Sequence, residues 1–338
     1  MKTHQPTRRR FAETVRRAST LGLLACAALA SAASGQLKQT FYLPVAEEGV
    51  RTTAIAINTT NGGTTTAPNP DTTRAVMSLT STANGTVVFY DHWEDGYEAD
   101  LANPVQASTE TLNLDAGDFI ALENDVFTNP RDPTQIRYDG RDKVGSTEPI
   151  AVTRAGWRLQ EGTLLAGAIE VFPTVDWGRR YRFPVGEDVT ANQMFEHAAA
   201  SVMAGDRGAV ISLDNDNDGF DDVTQSLGPG ESAYLDGILT GGLLRSTDPV
   251  QVHLITGDVG STFEGRWFSL VPFPDWGTSY FTPVDSASSA PTTVLLYNPG
   301  TSSITVTHET RGTSVGSTET VDDTNSTALD ETVAPCTG

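Results

Sequence analysis

The chain has few basic residues. Its 338 residues include 22 lysines and arginines against 43 aspartates and glutamates, which gives a formal charge of −21 at pH 7. Six of these bases but only one of the acids lie within residues 1–32, so the rest of the chain is more acidic still. A surface this acidic repels phosphate backbones and anionic lipids. We therefore expect neither nucleic acids nor membrane surfaces among its partners.

Cysteine and long apolar runs are also scarce. The only cysteines are Cys26 and Cys336. If Cys26 is removed with an N-terminal signal, Cys336 is left alone, and an unpaired thiol in an oxidising compartment indicates an intermolecular partner or a partner in missing sequence. No segment after residue 35 has 18 consecutive apolar residues, so no transmembrane helix is expected after processing.

The motifs of common enzyme classes are missing as well. The histidines after residue 35 are scattered and form no H-x-x-x-H pair, which gives no support to a zinc site. The chain contains no P-loop or G-x-G-x-x-G dinucleotide fingerprint. These absences favour a protein that is not an enzyme.

Residues 1–33 have the pattern of an export signal. A basic and polar stretch is followed by the apolar segment Leu21–Ala33, which contains the small-residue cleavage pattern Ala30–Ala32. The segment Thr7–Phe11 (TRRRF) resembles the twin-arginine signal of bacteria, and an ordinary Sec signal is the alternative. We expect a secreted or cell-surface protein of bacterial origin.

Short motifs recur about one hundred residues apart. The segment Ser146–Val152 (STEPIAV) recurs as Ser246–Val252 (STDPVQV), and the Asp-Trp-Gly turn at 176–178 recurs at 275–277. These matches predict an internal repeat. The expected organisation is a signal peptide (1–33), a first β module with insertions (34–178), a second β module (179–277), a partial third repeat (278–310), and a disordered Thr/Ser/Asp-rich tail (311–338).

Short apolar runs fill the repeats and predict an all-β fold. The runs are rich in β-branched and aromatic residues and are bounded by Asn, Gly, Asp or Pro, as Thr53–Ile57 and Thr86–Tyr90 illustrate. Only Ala191–Met203 has a pattern that suits a short helix. We expect tandem β-sandwich-like modules, with a propeller-like arrangement of the repeats as the alternative.

The order of the motifs suggests a family. Over roughly residues 40–290, a Gly-Asp strand start, S-T-(E/D)-P-(I/V)-x-V and P-x-x-D-W-G-x-x-Y-x-x-P-V follow one another. This order resembles the N-terminal domain of the IgGFc-binding protein family, which occurs in exported bacterial proteins and in animal mucin-like proteins. The run Val87–Glu98 looks like a signature of the bacterial members. The resemblance implies an extracellular adhesion or binding module without catalytic residues, and it does not imply immunoglobulin binding.

The segment Asp214–Asp222 reads DNDNDGFDD and predicts a calcium site. Calcium needs six to eight oxygen ligands, which carboxylates at alternate positions of a tight loop can supply. Gln225 occupies the position of the bidentate glutamate of an EF-hand, so the segment is closer to the acidic loops of thrombospondin type 3 repeats. The predicted ligands of a structural calcium ion are Asp214, Asp216, Asp218 and Asp222. The alternative is a solvated acidic hairpin.

The segment Tyr90–Glu98 combines aromatic and acidic residues at the matching place in the first module. The residues predicted to contact an extracellular glycan or protein ligand are Tyr90, Trp93, Glu94 and Tyr97. Three alternatives stay open. The aromatic side chains could pack on their own module, the acids of Asp91–Glu98 could serve a carbohydrate-active enzyme, or the protein could be a purely structural spacer. A glycosidase needs two carboxyls across a cleft, whereas these acids share one short turn.

Overall fold

Strands form most of the regular structure, as the all-β prediction requires. The computed structural model describes residues 36–57, 59–60, 64–65, 71–159, 166–190, 192–260, 265–281, 292–300, 302–310, 313–321 and 326–331. The predicted signal peptide and Cys336 lie outside these residues. Among the described residues, no helix is long and apolar enough to cross a membrane.

The regular structure of the described residues consists of β-strands, one α-helix and short 3-10 turns. In chain order, the strands are β1 (Gln39–Tyr42), β2 (Thr59–Thr60), β3 (Thr64–Thr65), β4 (Thr72–Ser81), β5 (Thr86–Asp91), β6 (Glu110–Leu114), β7 (Phe119–Phe127), β8 (Lys143–Ser146), β9 (Ile150–Arg158), β10 (Ala166–Glu170), β11 (Gly178–Arg182), β12 (His197–Ala204), β13 (Ala209–Asp214), β14 (Val223–Leu227), β15 (Ser232–Asp236), β16 (Leu243–Gly257), β17 (Gly265–Ser269), β18 (Thr292–Tyr297), β19 (Ile304–Thr310), β20 (Thr313–Val321) and β21 (Ser326–Glu331). The α-helix is α1 (Glu47–Ile57), and the 3-10 turns occur at Trp93–Asp95, Thr174–Asp176, Gln193–Phe195 and Phe273–Asp275.

Two antiparallel sheets form a first sandwich. Their strand orders are β1-β8-β5-β6 and β10-β9-β4-β7. Every second residue of β4 is buried, as expected for a strand with one face on a core. The core between the sheets consists of apolar side chains from both layers: Phe41, Leu43, Met77, Leu79, Val88, Tyr90, Leu114, Val144, Ile150, Val152 and Val171.

A second sandwich is built around the long strand β16. The first half of β16 pairs with β11 and β13, and the second half pairs with β12 and β17. Strands β14 and β15 extend the two layers from β13 and β12. Because β16 belongs to both layers, the seven strands curve into one nearly closed, barrel-like sheet.

The two sandwiches have the same strand order and register. Strands β8 and β9 of the first sandwich correspond to the two halves of β16 in the second. Val88 lies opposite Ser146 in the first sandwich, as Ile211 lies opposite Ser246 in the second. The S-T-(E/D)-P motif therefore lies at corresponding places in the two sandwiches. The described strands form sandwich layers rather than the blades of a propeller.

Two local predictions differ from the structure. The segment Thr53–Ile57, predicted as a strand, is the end of helix α1, whose buried residues Val50, Ala54 and Ile57 recur at helical spacing. Two acids in its first turn favour this helix. The segment Ala191–Met203, predicted as a helix, ends in strand β12. All residues of β12 are buried, so its sequence lacks the alternation that identifies a half-exposed strand.

The predicted disordered tail contains strands. Within residues 311–338, β20 pairs with β19 and β21 pairs with β18. Threonine and valine are common in this segment, and β-branched residues favour extended backbone over helix. The pairs β18–β21 and β19–β20 follow each other in the same order as β12–β15 and β13–β14 in the second sandwich.

Buried side chains join the two sandwiches. Trp267 of the second sandwich packs with Val45, Val50 and Ile169 of the first. Tyr42 packs with Trp177 and Met203 in another cluster. By its internal contacts, the chain from Leu37 onward forms one compact unit.

Candidate functional site

The acidic loop, defined as Asp214–Asp222, connects β13 to β14. The carboxylates of Asp214, Asp216 and Asp218 each place one oxygen within 4.8 Å of the others. Asp214 is buried at the end of β13, whereas Asp216 and Asp218 are exposed. Asn217 (φ 59°) and Gly219 (φ 96°) have left-handed backbone conformations that fold the loop back on itself. Three of the four predicted ligands are thus brought together.

Asp214 carries a buried oxygen without a partner. Its Oδ2 accepts a hydrogen bond from the Gly219 N–H at 3.2 Å and lies 3.6 Å from Nη2 of Arg245. Its Oδ1 is buried and has no hydrogen-bond partner within the described residues. A buried carboxylate oxygen without a donor is destabilising, and a bound cation removes that penalty.

Asp222, the fourth predicted ligand, lies apart from the other three. Its Oδ2 accepts a hydrogen bond from the Asn215 N–H at 2.8 Å, which closes the base of the loop. The neighbouring Asp221 pairs with Nη1 of Arg245 at 2.9 Å. The structure therefore gives Asp222 a role in holding the loop shape.

Two of the residues predicted to contact a ligand are internal. Tyr90 is 0% exposed, and its hydroxyl donates to Oδ2 of Asp142 at 2.7 Å. The side chain of Glu94 is also fully covered. It pairs with Arg131 and accepts a hydrogen bond from the Arg137 N–H at 2.9 Å. Neither side chain is presented on the surface.

The other two, Trp93 and Tyr97, are partly buried. The Trp93 ring lies 5.5 Å from the guanidinium of Arg131 and 5.0 Å from that of Arg141, both at cation–π distance. Its indole N–H donates to Oδ1 of Asp139 at 2.7 Å. The Tyr97 hydroxyl donates to the Arg141 carbonyl at 2.8 Å. Tyr90 and Trp93 therefore pack on their own module, whereas Tyr97 also contacts the second sandwich, where its hydroxyl lies 3.3 Å from the Gly230 carbonyl.

The acids of the same segment are held by internal donors. Oδ2 of Asp91 accepts a hydrogen bond from the Glu98 N–H at 2.9 Å, and its Oδ1 accepts one from the Thr109 hydroxyl at 3.1 Å. Oε1 of Glu98 accepts the N–H groups of Val105 and Gln106, both at 2.6 Å. Through these hydrogen bonds, the two buried carboxylates stabilise the conformation of the loop that precedes β6.

A buried charge network lies beneath this segment, around Asp139 and Asp142. Asp142 accepts hydrogen bonds from the N–H groups of Trp93 at 3.2 Å and Asp139 at 3.0 Å, besides that from Tyr90. Burial raises the pKa of Asp142, although its contacts with His92 and Tyr90 oppose the shift. Burial also raises the pKa of Asp139, and nearby acids add to the effect.

His92 supplies positive charge to this network. Its Nδ1 lies 2.8 Å from the Arg137 carbonyl and 3.5 Å from Oδ2 of Asp142, and its Nε2 lies 3.5 Å from Oε1 of Glu110. Burial alone would lower the pKa of His92. The hydrogen bond and charge of Asp142, with the other two acceptors, outweigh burial and raise the pKa to about 9. At neutral pH the ring is an imidazolium.

A buried ion pair fixes helix α1. Glu47, in the first turn of the helix, pairs with Arg154 of β9, and both side chains are buried. Oε2 of Glu47 also accepts a hydrogen bond from the Gly140 N–H at 2.8 Å. Burial raises the pKa of Glu47, and the charge of Arg154 opposes that shift. The sequence gives no signal for this pair, because its members are 107 positions apart and belong to no motif.

Comparisons of the chain with protein-family models, with curated proteins and with solved structures gave no match. The resemblance to the IgGFc-binding family therefore stays a prediction from the motif order.

Proposed function

We propose that the protein is an exported, non-enzymatic binding or adhesion module of the cell surface, whose second sandwich is stabilised by calcium at Asp214, Asp216 and Asp218. The observation that carries the calcium proposal is the buried Oδ1 of Asp214, which lacks a donor beside two further carboxylates. Hard oxygen ligands suit calcium better than a softer metal. The negative charge of the loop favours a divalent cation further.

The first sandwich offers a comparison that supports this proposal. Asp91 lies opposite Lys143 in the strand register, and the corresponding Asp214 lies opposite Leu243. Burial raises the pKa of Asp91, and the donors from Glu98 and Thr109 together with the Lys143 charge oppose that shift. Asp214 has no lysine at this position; Arg245 lies 3.6 Å from its Oδ2 but is shared with Asp221, so the buried Oδ1 is the atom that an external cation would satisfy.

An exposed aromatic residue links calcium to binding. Phe220 is 77% exposed and lies in the acidic loop directly after Gly219. Its N–H donates to Oδ1 of Asp218 at 2.9 Å, so the backbone at Phe220 is tied to a proposed calcium ligand. We place the contact with an extracellular glycan or protein at this loop, because the aromatic residues of Tyr90–Glu98 are engaged internally.

Calcium is expected to raise the melting temperature of the purified chain by about 5 °C at saturating concentration. Asp216→Asn combined with Asp218→Asn should abolish the shift, because asparagine keeps the loop hydrogen bonds but removes the charges. Glu123→Gln with Asp125→Asn removes the same charge from a surface pair with Arg74 and should keep the shift. Differential scanning calorimetry with calcium and with chelator measures this. An equal shift in both double variants would refute the assignment.

Retention on arrays of glycans and mucin-type glycoproteins tests the binding role. We expect selective retention in calcium, loss of retention in chelator, and a loss of at least tenfold in Phe220→Ala, because aromatic side chains supply much of the contact energy at binding sites. Phe119→Ala, on the exposed face of β7, is the matched control and should bind normally. New reducing ends in the same wells would instead favour the carbohydrate-active enzyme. Absence of both retention and hydrolysis would favour a structural spacer.

A further inference from the structure

A second group of possible metal ligands lies at the edge of the second sandwich. His197 begins β12, Asp236 ends β15, and Glu187 lies in the connection between β11 and β12. Nδ1 of His197 is 3.6 Å from Oδ1 of Asp236 and 3.8 Å from Oε1 of Glu187. Neither carboxylate lies within ion-pair distance of a lysine or arginine among the described residues.

The hydrogen bonds of His197 leave Nδ1 facing these two carboxylates. Its Nε2 lies 2.8 Å from the Tyr234 hydroxyl, which in turn lies 2.9 Å from the Thr53 hydroxyl. The tautomer in which Nε2–H donates to Tyr234 and Tyr234 donates to Thr53 leaves a lone pair on Nδ1. A cation between Nδ1 and the two carboxylate oxygens selects this tautomer, because a metal binds the deprotonated ring nitrogen.

We infer that Nδ1 of His197, with the carboxylates of Glu187 and Asp236, binds a divalent cation of the zinc class. Two ligand atoms of one tetrahedral zinc ion, each about 2.0–2.2 Å from the metal, are separated by about 3.3 Å. The observed separations of 3.6 and 3.8 Å are too long for a hydrogen bond but close to this value. The side chain of Asp236 is 68% exposed and can close the remaining gap, and water completes the coordination.

The surrounding contacts orient all three ligands. Oε1 of Glu187 accepts a hydrogen bond from the Ala198 N–H at 3.0 Å, and Oδ1 of Asp236 accepts one from the Gly237 N–H at 3.1 Å. Tyr234 fixes the histidine ring through the nitrogen that does not face the metal, the usual arrangement at protein metal sites. Because one ligand is an imidazole nitrogen, the site discriminates against calcium and magnesium.

The group His92, Glu94 and Asp142 shows why His197 is the better ligand. Its ligand atoms also lie within 4.8 Å of one another. However, both ring nitrogens of His92 face oxygen acceptors, and the ring is positively charged at neutral pH. An imidazolium has no lone pair for a metal. At His197, in contrast, the two carboxylate oxygens that converge on Nδ1 lie at 3.6 and 3.8 Å, beyond hydrogen-bond distance.

Zinc titration of the chelator-treated full-length chain tests the inference, with excess calcium present to occupy the acidic loop. Isothermal titration calorimetry should give one equivalent of zinc bound. Asp236→Asn, a change at an exposed side chain, should weaken binding about tenfold or more, as should Tyr234→Phe, which removes the support of the ring. The double variant Asp216→Asn/Asp218→Asn is the matched control and should bind zinc as the unmodified chain does.

Two results would overturn the inference: no binding heat up to millimolar zinc, or equal zinc affinity in Asp236→Asn, His197→Gln and the unmodified chain. Neither result affects the proposed calcium site, because that site uses different ligands and is read out by the calcium-induced melting shift. Cobalt(II) substitution gives an independent check. Its visible absorption should change when His197 is replaced and should stay the same in the acidic-loop variant.

Discussion

Replacing Arg154 by methionine is expected to lower the free energy of unfolding by about 3–5 kcal/mol. Both partners of the Arg154–Glu47 pair are buried, so the substitution leaves the Glu47 carboxylate in the interior without its cation. The carboxylate then keeps only backbone donors, the N–H groups of Gly140 and of Glu47 itself, among the described residues. Urea unfolding of the unmodified and substituted chains gives the difference directly, provided that the dependence on urea concentration is unchanged.

Two further variants separate the charge effect from lost packing. In Arg154→Met/Glu47→Gln, the neutral amide still accepts from Gly140, so much of the lost stability should return. Arg74→Met, on the neighbouring strand β4, breaks a partly exposed pair with Glu123 and Asp125 and should cost at most about 1 kcal/mol. If Arg154→Met cost no more than Arg74→Met, the buried pair would not be the anchor of helix α1.

The strands and the repeated motifs could be predicted from the sequence because their signals are local. The run Thr86–Tyr90, which its β-branched and aromatic residues predict as a strand, lies in β5, and the S-T-(E/D)-P segments lie at corresponding registers in both sandwiches. Helix α1 could not be predicted, because its T-A-I-A-I end looks like a strand when its packing against Trp267 and β9 is unknown. Strand β12 could not be predicted either. Its alanines are buried on both faces of the strand, so its sequence lacks the alternation of apolar and polar residues that identifies a strand.

The candidate sites also include residues that the sequence could group and residues that it could not. Asp214, Asp216 and Asp218 alternate along one loop, so local spacing is enough to group them. Asp222 fits the same spacing, but a backbone hydrogen bond to Asn215 engages it. The proposed ligands around His197 come from separate elements of the fold. Because this site has a single histidine, a search of the sequence for paired histidines does not find it. Only the fold brings such residues together.

Raising the pH from about 6.5 to above 9 is expected to destabilise the protein by an amount on the order of 3 kcal/mol through His92. The pKa of His92 is about 9 in the folded chain, against about 6.5 for an unfolded histidine. The folded state therefore binds this proton more tightly, and its stabilising effect is complete below pH 6.5. The effect is lost as the pH rises through 9. Urea midpoints measured across this range should fall in the unmodified chain and change much less in His92→Gln.

His253 provides the matched control because its titration acts in the opposite direction. Full burial lowers its pKa to about 3, and neither ring nitrogen has a partner within the described residues. Stability is therefore lost as the pH falls from about 6.5 towards 3, because in this range His253 binds a proton in the unfolded chain but not in the folded chain. His253→Leu should reduce the loss of stability below pH 6.5 and leave the loss between pH 6.5 and 9 unchanged. His92→Gln should do the opposite. Equal alkaline slopes in His92→Gln and the unmodified chain would show that His92 is not the charge that balances Asp142.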